Sequence, residues 1–429
     1  MVALIFSTFF PMMLIGVPVA FCLVLTTIFV YYQMGDPRLF MQIPQKMVAS
    51  MEDPLLLAIP FFIMTGEVMN RAQITDKLMN LASALVGFMR GGLAHTNIVA
   101  SMLFAGITGS AVSDTVAIGS IMIPAMNKQG YGETYSAAVT AASSVIGPII
   151  PPSIPMLIYA SVMNVSIAGL FLGGMVPGIL VGLALMAAAY LVAVRKGYGE
   201  RIPFIGVTNL LLAVARGVPA LLMPVIIMGG ILGGFFSPTQ ASAIAVLYGL
   251  FVGFIYYRTL KLKDLAPILK HTVRSTAMLM FLLACAKSFS WLVTYYNLVE
   301  HVASMFLAIT DDKIIFLLIV NAILLVVGMF LDMGFAIIVL GPLMAPVAYK
   351  MGVDPIHFGL IMCVNLTIGL ATPPFGLVLF AVCGICKTTL TKVSIGIMPF
   401  LLAEVVVLLL VTYVPEITMF FPKYFGFVN

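Results

Sequence analysis

Residues 147–153 read GPIIPPS, and residues 369–375 read GLATPPF. Each sits inside an apolar run long enough to cross a bilayer, 131–165 and 355–382. Proline has no N–H, and its ring clashes with the carbonyl four residues back, so a Pro-Pro pair at mid-run breaks a helix. Pro151 and Pro152 free the carbonyls of Gly147 and Pro148, and Pro373 and Pro374 free those of Gly369 and Leu370. Bare carbonyls at membrane depth are costly unless something satisfies them. Ser or Thr hydroxyls and water can mend such a break, or a small hard cation can take the oxygens. That the break occurs twice favours a pair of broken-helix binding sites.

The two motifs lie 222 residues apart, and the same shift carries Gly106 onto Gly328, Gly119 onto Gly341, Pro124 onto Pro346 and Lys128 onto Lys350 without a gap. Most of these residues dictate unusual backbone, so the coincidence points to an internal duplication. The apolar runs at about 1–14, 17–33, 54–72, 131–165, 167–195, 219–236, 238–258, 273–296, 355–382 and 395–415 predict ten spans. Two further runs, about 92–127 and 314–349, are interrupted by Gly, Ser and Asp into halves of about 12–17 residues, too short to cross, and predict re-entrant hairpins. Segments 76–90 and 298–312 carry mixed charge and read as interfacial arms. The predicted fold is an all-α polytopic membrane protein of two repeats, residues 1–195 and 218–429, joined by 196–217. Each repeat holds about five spans, one re-entrant helical hairpin and one discontinuous helix. Five is odd, so the second copy is inverted in the membrane, as in many secondary transporters.

Composition agrees. Of 429 residues, 62% are hydrophobic and 9% charged, against about 45–50% and about 25% for soluble domains. A net charge of +5 is a loop asymmetry and leaves no basic surface for nucleic acid. With the N-terminus outside, fifteen Lys and Arg fall on the cytoplasmic side and five outside, which obeys the positive-inside rule. The four histidines lack metal-ligand spacing, and Cys383 and Cys386 sit in an apolar run and read as packing.

The hairpin midpoints read GITGSAVSDT at 106–115 and GMFLDMG at 328–334. Both place hydroxyls or a carboxylate where a tip can meet a broken helix, and both residue sets also suit helix N-terminal capping. Ser110 and Asp332 are the leading ligand candidates, followed by Thr108, Ser113 and Asp114. Three ionisable groups lie within spans, Glu67, Lys287 and Glu404. Glu67 and Lys287 occupy nearly equivalent places in the two repeats. They either pair, or Lys287 snorkels or helps hold an anion.

At these residues the chain resembles the large membrane subunit of tripartite ATP-independent periplasmic (TRAP) transporters, the DctM-like family. The matching stretches are IPFFIMTGEVMNRAQITDKL at 59–78, GITGSAVSDTVAIGSIMIPAMNKQGYG at 106–132, GPIIPPS at 147–153, LDMGFAIIVLGPLMAPVA at 331–348 and GLATPPFG at 369–376. Within that family it is most similar to the sialic acid subgroup. The resemblance implies a transport subunit of the bacterial inner membrane, working with a small four-helix membrane subunit and a soluble periplasmic substrate-binding protein. It implies Na+ as coupling ion, no other cofactor, and an elevator motion of hairpins and broken helices against a scaffold. It also implies one Na+ site near Ser110, Gly147 and Ile150 and another near Asp332, Gly369 and Thr372, with the substrate carboxylate between the tips. The candidate Na+ positions are then Thr108, Ser110, Gly147, Ile150, Pro152, Gly328, Asp332, Gly369 and Thr372. Those for substrate are Ser110, Ser113, Asp114, Asp332 and Gly334. Where the second repeat has Thr372 the first has Ile150, which offers only backbone, so the two ion sites should differ in affinity. The expected activity is Na+-coupled import of an anionic organic acid, with sialic acid the best candidate. The alternatives are a C4-dicarboxylate TRAP transporter or a self-sufficient Na+/dicarboxylate carrier. An enzyme would need a cluster of His, Asp or Cys near one interface, which the sequence lacks.

Overall fold

The protein is described from a computed structural model at residues 2–199, 206–297, 300–301, 304, 306 and 310–427. Among these residues every regular element is helical. The first half runs α1 (Val2–Leu14), α2 (Val19–Met34), α3 (Arg38–Met51), α4 (Ala58–Arg71), α5 (Ile74–Val86), α6 (Gly92–Thr108), α7 (Ala111–Lys128), α8 (Glu133–Ser144), α9 (Ile154–Met163) and α10 (Ile167–Lys196). The second runs α11 (Val207–Leu232), α12 (Pro238–Phe251), α13 (Leu262–Tyr295), α14 (Lys313–Phe330), α15 (Met333–Lys350), α16 (Pro355–Gly369), α17 (Leu377–Cys386), α18 (Leu390–Tyr413) and α19 (Glu416–Tyr424).

Among the described residues seven helices are long and apolar enough to cross a membrane, or eight if α3 and the Pro54–Arg71 segment, bent by 57°, count as one span. The protein is therefore multi-pass. Two of the apolar runs, 131–165 and 355–382, are divided at their Gly- and Pro-rich stretches, leaving α8 and α9 at 12 and 10 residues and α16 and α17 at 15 and 10. The hairpin arms span 17, 18, 18 and 18 residues, at or just above the expected length, and α7 and α15 continue through Pro124, Pro342 and Pro346 to Lys128 and Lys350. Two of them, α14 and α15, reach spanning length. Helices α3 and α19 fall outside the expected runs, α13 begins at Leu262 rather than near 273, and α11 begins at Val207, inside the expected connector. The remainder of that connector at 200–205, and most of the expected arm at 298–312, lie outside the described residues.

Helix bounds repeat with the sequence. Shifting 92–108 and 111–128 by 222 gives 314–330 and 333–350, against observed bounds of 313–330 and 333–350. Side-chain contacts follow the same rule. A Cβ on Gly119 of α7 would lie 3.3 Å from Ile385 of α17, and one on Gly341 of α15 would lie 3.7 Å from Met163 of α9. The shift carries 119 onto 341 and 163 onto 385, so exchanging the two halves maps one contact onto the other. Each half's α9 or α17 thus packs on the other half's hairpin.

The centre consists of α8 and α16, whose residues are almost all buried. Hydrogen bonds hold the first arm of each hairpin to them: Asn97 Nδ2 donates to Thr140 Oγ1 at 2.7 Å, and Asn365 Nδ2 to Asn321 Oδ1 at 2.8 Å. Each contributes about 1 kcal/mol, and leaving either buried amide unpaired costs more. Helix α13 packs instead against α2, α3 and α4, forming a wall beside the hairpins.

Candidate functional site

Helix α6 ends because Gly109 takes the left-handed conformation, φ 58°, and α7 starts because extended Ser110 caps it, its Oγ accepting from Ser113 N–H at 3.5 Å. In the second hairpin extended Leu331 ends α14, and Asp332 caps α15, its Oδ1 accepting from Gly334 N–H at 3.0 Å. Both tips therefore present helix N-termini, whose partial positive charge suits an anion.

The broken helices meet these tips by backbone-on-backbone packing. A Cβ on Gly109 would stand 2.7 Å from the Pro152 carbonyl, and one on Gly147 would stand 3.4 Å from the Ser110 carbonyl. In the second half Gly328 and Gly369 touch so closely that a Cβ on Gly369 would lie 2.6 Å from the Gly328 Cα, while Gly376 N–H donates to Met329 O at 3.0 Å. The Pro151–Pro152 and Pro373–Pro374 peptide bonds are both cis.

The freed carbonyls are not all bare. Pro148 O accepts from Ser153 Oγ at 2.5 Å, Gly369 O from Thr372 N–H at 3.0 Å and Leu370 O from Val378 N–H at 3.1 Å. Local hydroxyl and amide donors thus mend three of the four, because the chain re-enters a turn on each side of the prolines. Gly147 O takes no hydrogen bond from the described residues. Thr108 Oγ1 is likewise buried without a partner. An orphaned hydroxyl in one hairpin and an unpartnered carbonyl in its broken helix fit a small cation. In the second half Thr372 spends its proton on Ile368 O at 2.9 Å, which leaves its oxygen lone pairs to accept, and each mended carbonyl keeps a second lone pair.

The two tips share one cavity of about 120 Å³, lined by Gly109 and Ser110 from the first and Asp332, Met333 and Gly334 from the second, with Leu279 of α13 closing one side. A second cavity of about 180 Å³ shares Ser110, Ile154 and Leu279 with it, and adds Thr108, Ser113, Glu67 and His271. The structure thus brings Ser110, Asp332 and Gly334 together and puts Thr108 and Ser113 in the adjoining space. Gly147, Ile150 and Pro152 belong to the first break, and Gly328, Gly369 and Thr372 stand at the second. Asp114 lies elsewhere. One turn into α7, it faces Ser101 and Ser144 with no exposure and lines neither cavity, because that face of α7 packs on α6 and α8.

Glu67 and Lys287 do not pair. Glu67 lies 3.4 Å from Arg71 Nε and 3.5 Å from His271 Nδ1, while Lys287 lines a separate cavity with Asp53. Glu404 is fully buried on α18, and its carboxyl oxygens have no hydrogen-bond partner among the described residues. The role of α13 was not anticipated from the sequence. Its signal was there, since His271, Ser275, Leu279, Leu283 and Lys287 recur every four residues.

The sequence profile of the family described as "Tripartite ATP-independent periplasmic transporter, DctM component" matches residues 6–417. The sialic acid TRAP transporter large permease protein SiaM of Vibrio cholerae serotype O1 is 39% identical over 381 residues, 89% of each chain. The C4-dicarboxylate TRAP transporter large permease protein DctM of the same organism is 37% identical over 441 residues, 98% of this chain and 97% of that one. Among solved structures, the crystal structure of the Alcanivorax borkumensis YdaH transporter superposes with a TM-score of 0.62 at 15% identity, covering 89% of this chain and 88% of that one, a likeness of fold alone. The chain belongs to the DctM family of tripartite ATP-independent periplasmic transporters, as a large permease and not an enzyme.

Proposed function

We propose that the chain is the translocating subunit of a Na+-coupled importer of an anionic organic acid, with sialic acid the leading substrate. The single observation that carries this reading is the cavity shared by the two tips, where Ser110, Asp332 and two helix N-termini converge. Thr108, Ser110, Gly147, Ile150 and Pro152 would hold one Na+, and Gly328, Asp332, Gly369 and Thr372 the other. Bound Na+ supplies positive charge beside the tips, which favours a carboxylate there. The chain's own part is to fix the tips against the breaks through glycine contacts and to aim N–H groups into the cavity.

The exchange-related contacts of Gly119 and Gly341 support two inverted repeats, with residues 1–195 and 218–429 as the units. In this reading the hairpins and broken helices slide as one body past the α13 wall, and the N-terminus is periplasmic. A small four-helix membrane subunit flanks the scaffold, and a soluble periplasmic protein delivers the acid. The name of the DctM relative keeps C4-dicarboxylates as the second substrate class. Reconstituted liposomes test the reading. Labelled sialic acid should accumulate only with an inward Na+ gradient and with the loaded binding protein outside. Uptake without the binding protein would contradict the tripartite reading, and equal uptake in choline would contradict coupling.

A further inference from the structure

Three cavities open in sequence along one face of α13. His271, Ser275 and Leu279 line the cavity beyond the first tip, Leu279 closes the tip cavity, and Leu283, Ala286, Lys287 and Ser290 line a third of about 140 Å³. Residues four apart on a helix share a face, so His271 to Lys287 forms a continuous track of about 24 Å. The third cavity lies between this track and α9, which contributes Ser161 and Val162, and it holds Asp53. Asp53 is already committed: Oδ1 accepts from Leu55 N–H at 2.9 Å, and Oδ2 from Ser161 Oγ at 2.7 Å. Lys287 is exposed and makes no ion pair among the described residues. Among the described lining residues the cavity thus presents one unpaired ammonium beside the hydroxyl of Ser290 and the amide of Asn164, and one acid, Asp53, whose two oxygens are both hydrogen-bonded elsewhere.

We propose that Lys287, with the hydroxyl of Ser290 and the amide of Asn164, forms a staging site for a carboxylate, separated from the tip cavity by Leu283. The site rests on the functional reading above. Under the orientation proposed there it stands on the outer side, where acid arrives before the tips receive it. An exposed ammonium holds a carboxylate weakly and acts chiefly on its arrival, as charged rims do at other interfaces. That suits a station that must also release. The hydrogen bond from Ser161 to Asp53 joins α9 to the wall beside this station, so the cavity changes shape whenever α9 slides.

Amine labelling tests the site without any transport. In the purified wild-type chain, acetylation of Lys287 by a neutral succinimidyl ester, followed by mass spectrometry, should slow about threefold or more with succinate or sialic acid and not with erythritol. Labelling of the surface residue Lys261 should stay constant. Equal Lys287 labelling in all three solutions would overturn the proposal. In liposomes, Lys287→Gln should raise the half-saturating acid concentration about fivefold at low ionic strength, with the maximal rate nearly unchanged and Lys287→Arg restoring it. A lowered maximal rate at an unchanged half-saturating concentration would overturn the staging role. Acid-protected Lys287 in a wild-type chain that transports no acid would uphold the site and overturn the functional reading.

Discussion

Asp332→Asn lowers Na+-dependent uptake about a hundredfold or more, while Lys261→Gln, at the exposed residue just before α13, leaves it within about twofold. Asparagine caps a helix as well as aspartate does, so the bond to Gly334 N–H at 3.0 Å and the start of α15 survive the change. What disappears is a negative charge at the mouth of the cavity that both tips share. A hundredfold loss corresponds to about 2.7 kcal/mol, the scale of one charge-assisted contact. Initial rates with and without Na+, set against the amount of folded protein, provide the measurement. Equal effects at Asp332 and Lys261 would remove Asp332 from the site.

Gly369→Ala has a comparable effect through geometry alone. The added methyl would lie 2.6 Å from the Gly328 Cα and 2.8 Å from its carbonyl carbon, and neither is the loose end of a side chain. Backbone must separate from backbone, which costs about 1–3 kcal/mol in a packed interior. The separation falls between the second hairpin and its broken helix. Uptake should fall at least about tenfold and the unfolding temperature should drop by several degrees. Gly384→Ala in α17 is the matched control, because nothing lies within 4 Å of its added Cβ. If the two alanines behave alike, the close approach of Gly328 and Gly369 has no functional weight.

Much of this arrangement was legible in the sequence because glycine and proline fix backbone locally. Gly109 and Gly369 stand where α6 and α16 end, and the Pro151–Pro152 and Pro373–Pro374 pairs lie in the breaks between α8 and α9 and between α16 and α17. Ser110 and Asp332 could be identified as tip residues for the same reason, since a small capping side chain between two apolar arms has few other places to sit. The state of the freed carbonyls was not legible. Whether Ser153 bonds Pro148 or Val378 bonds Leu370 depends on how the chain re-enters after the break, and proline says nothing about that. Nor was the burial of Asp114 legible, because a residue four positions from a tip points to a face chosen by packing against α6 and α8. The exact helix bounds were not legible, because hydropathy adds up residues and does not see a turn within the run. The link from Glu67 to His271 joins α4 to α13 across most of the chain's middle, a tertiary fact without a local pattern.

The central claim is that oxygens at the two tips and their broken helices hold Na+. Thermal unfolding of the purified chain in NaCl and in choline chloride at equal ionic strength tests it directly. A ligand that binds only the folded state raises the unfolding temperature with its concentration. The account predicts a rise with Na+ that shrinks in Ser110→Ala, shrinks in Asp332→Asn, and vanishes when both are combined. A Na+-dependent rise that survives intact in the double variant, or no rise in the wild-type chain, would contradict it.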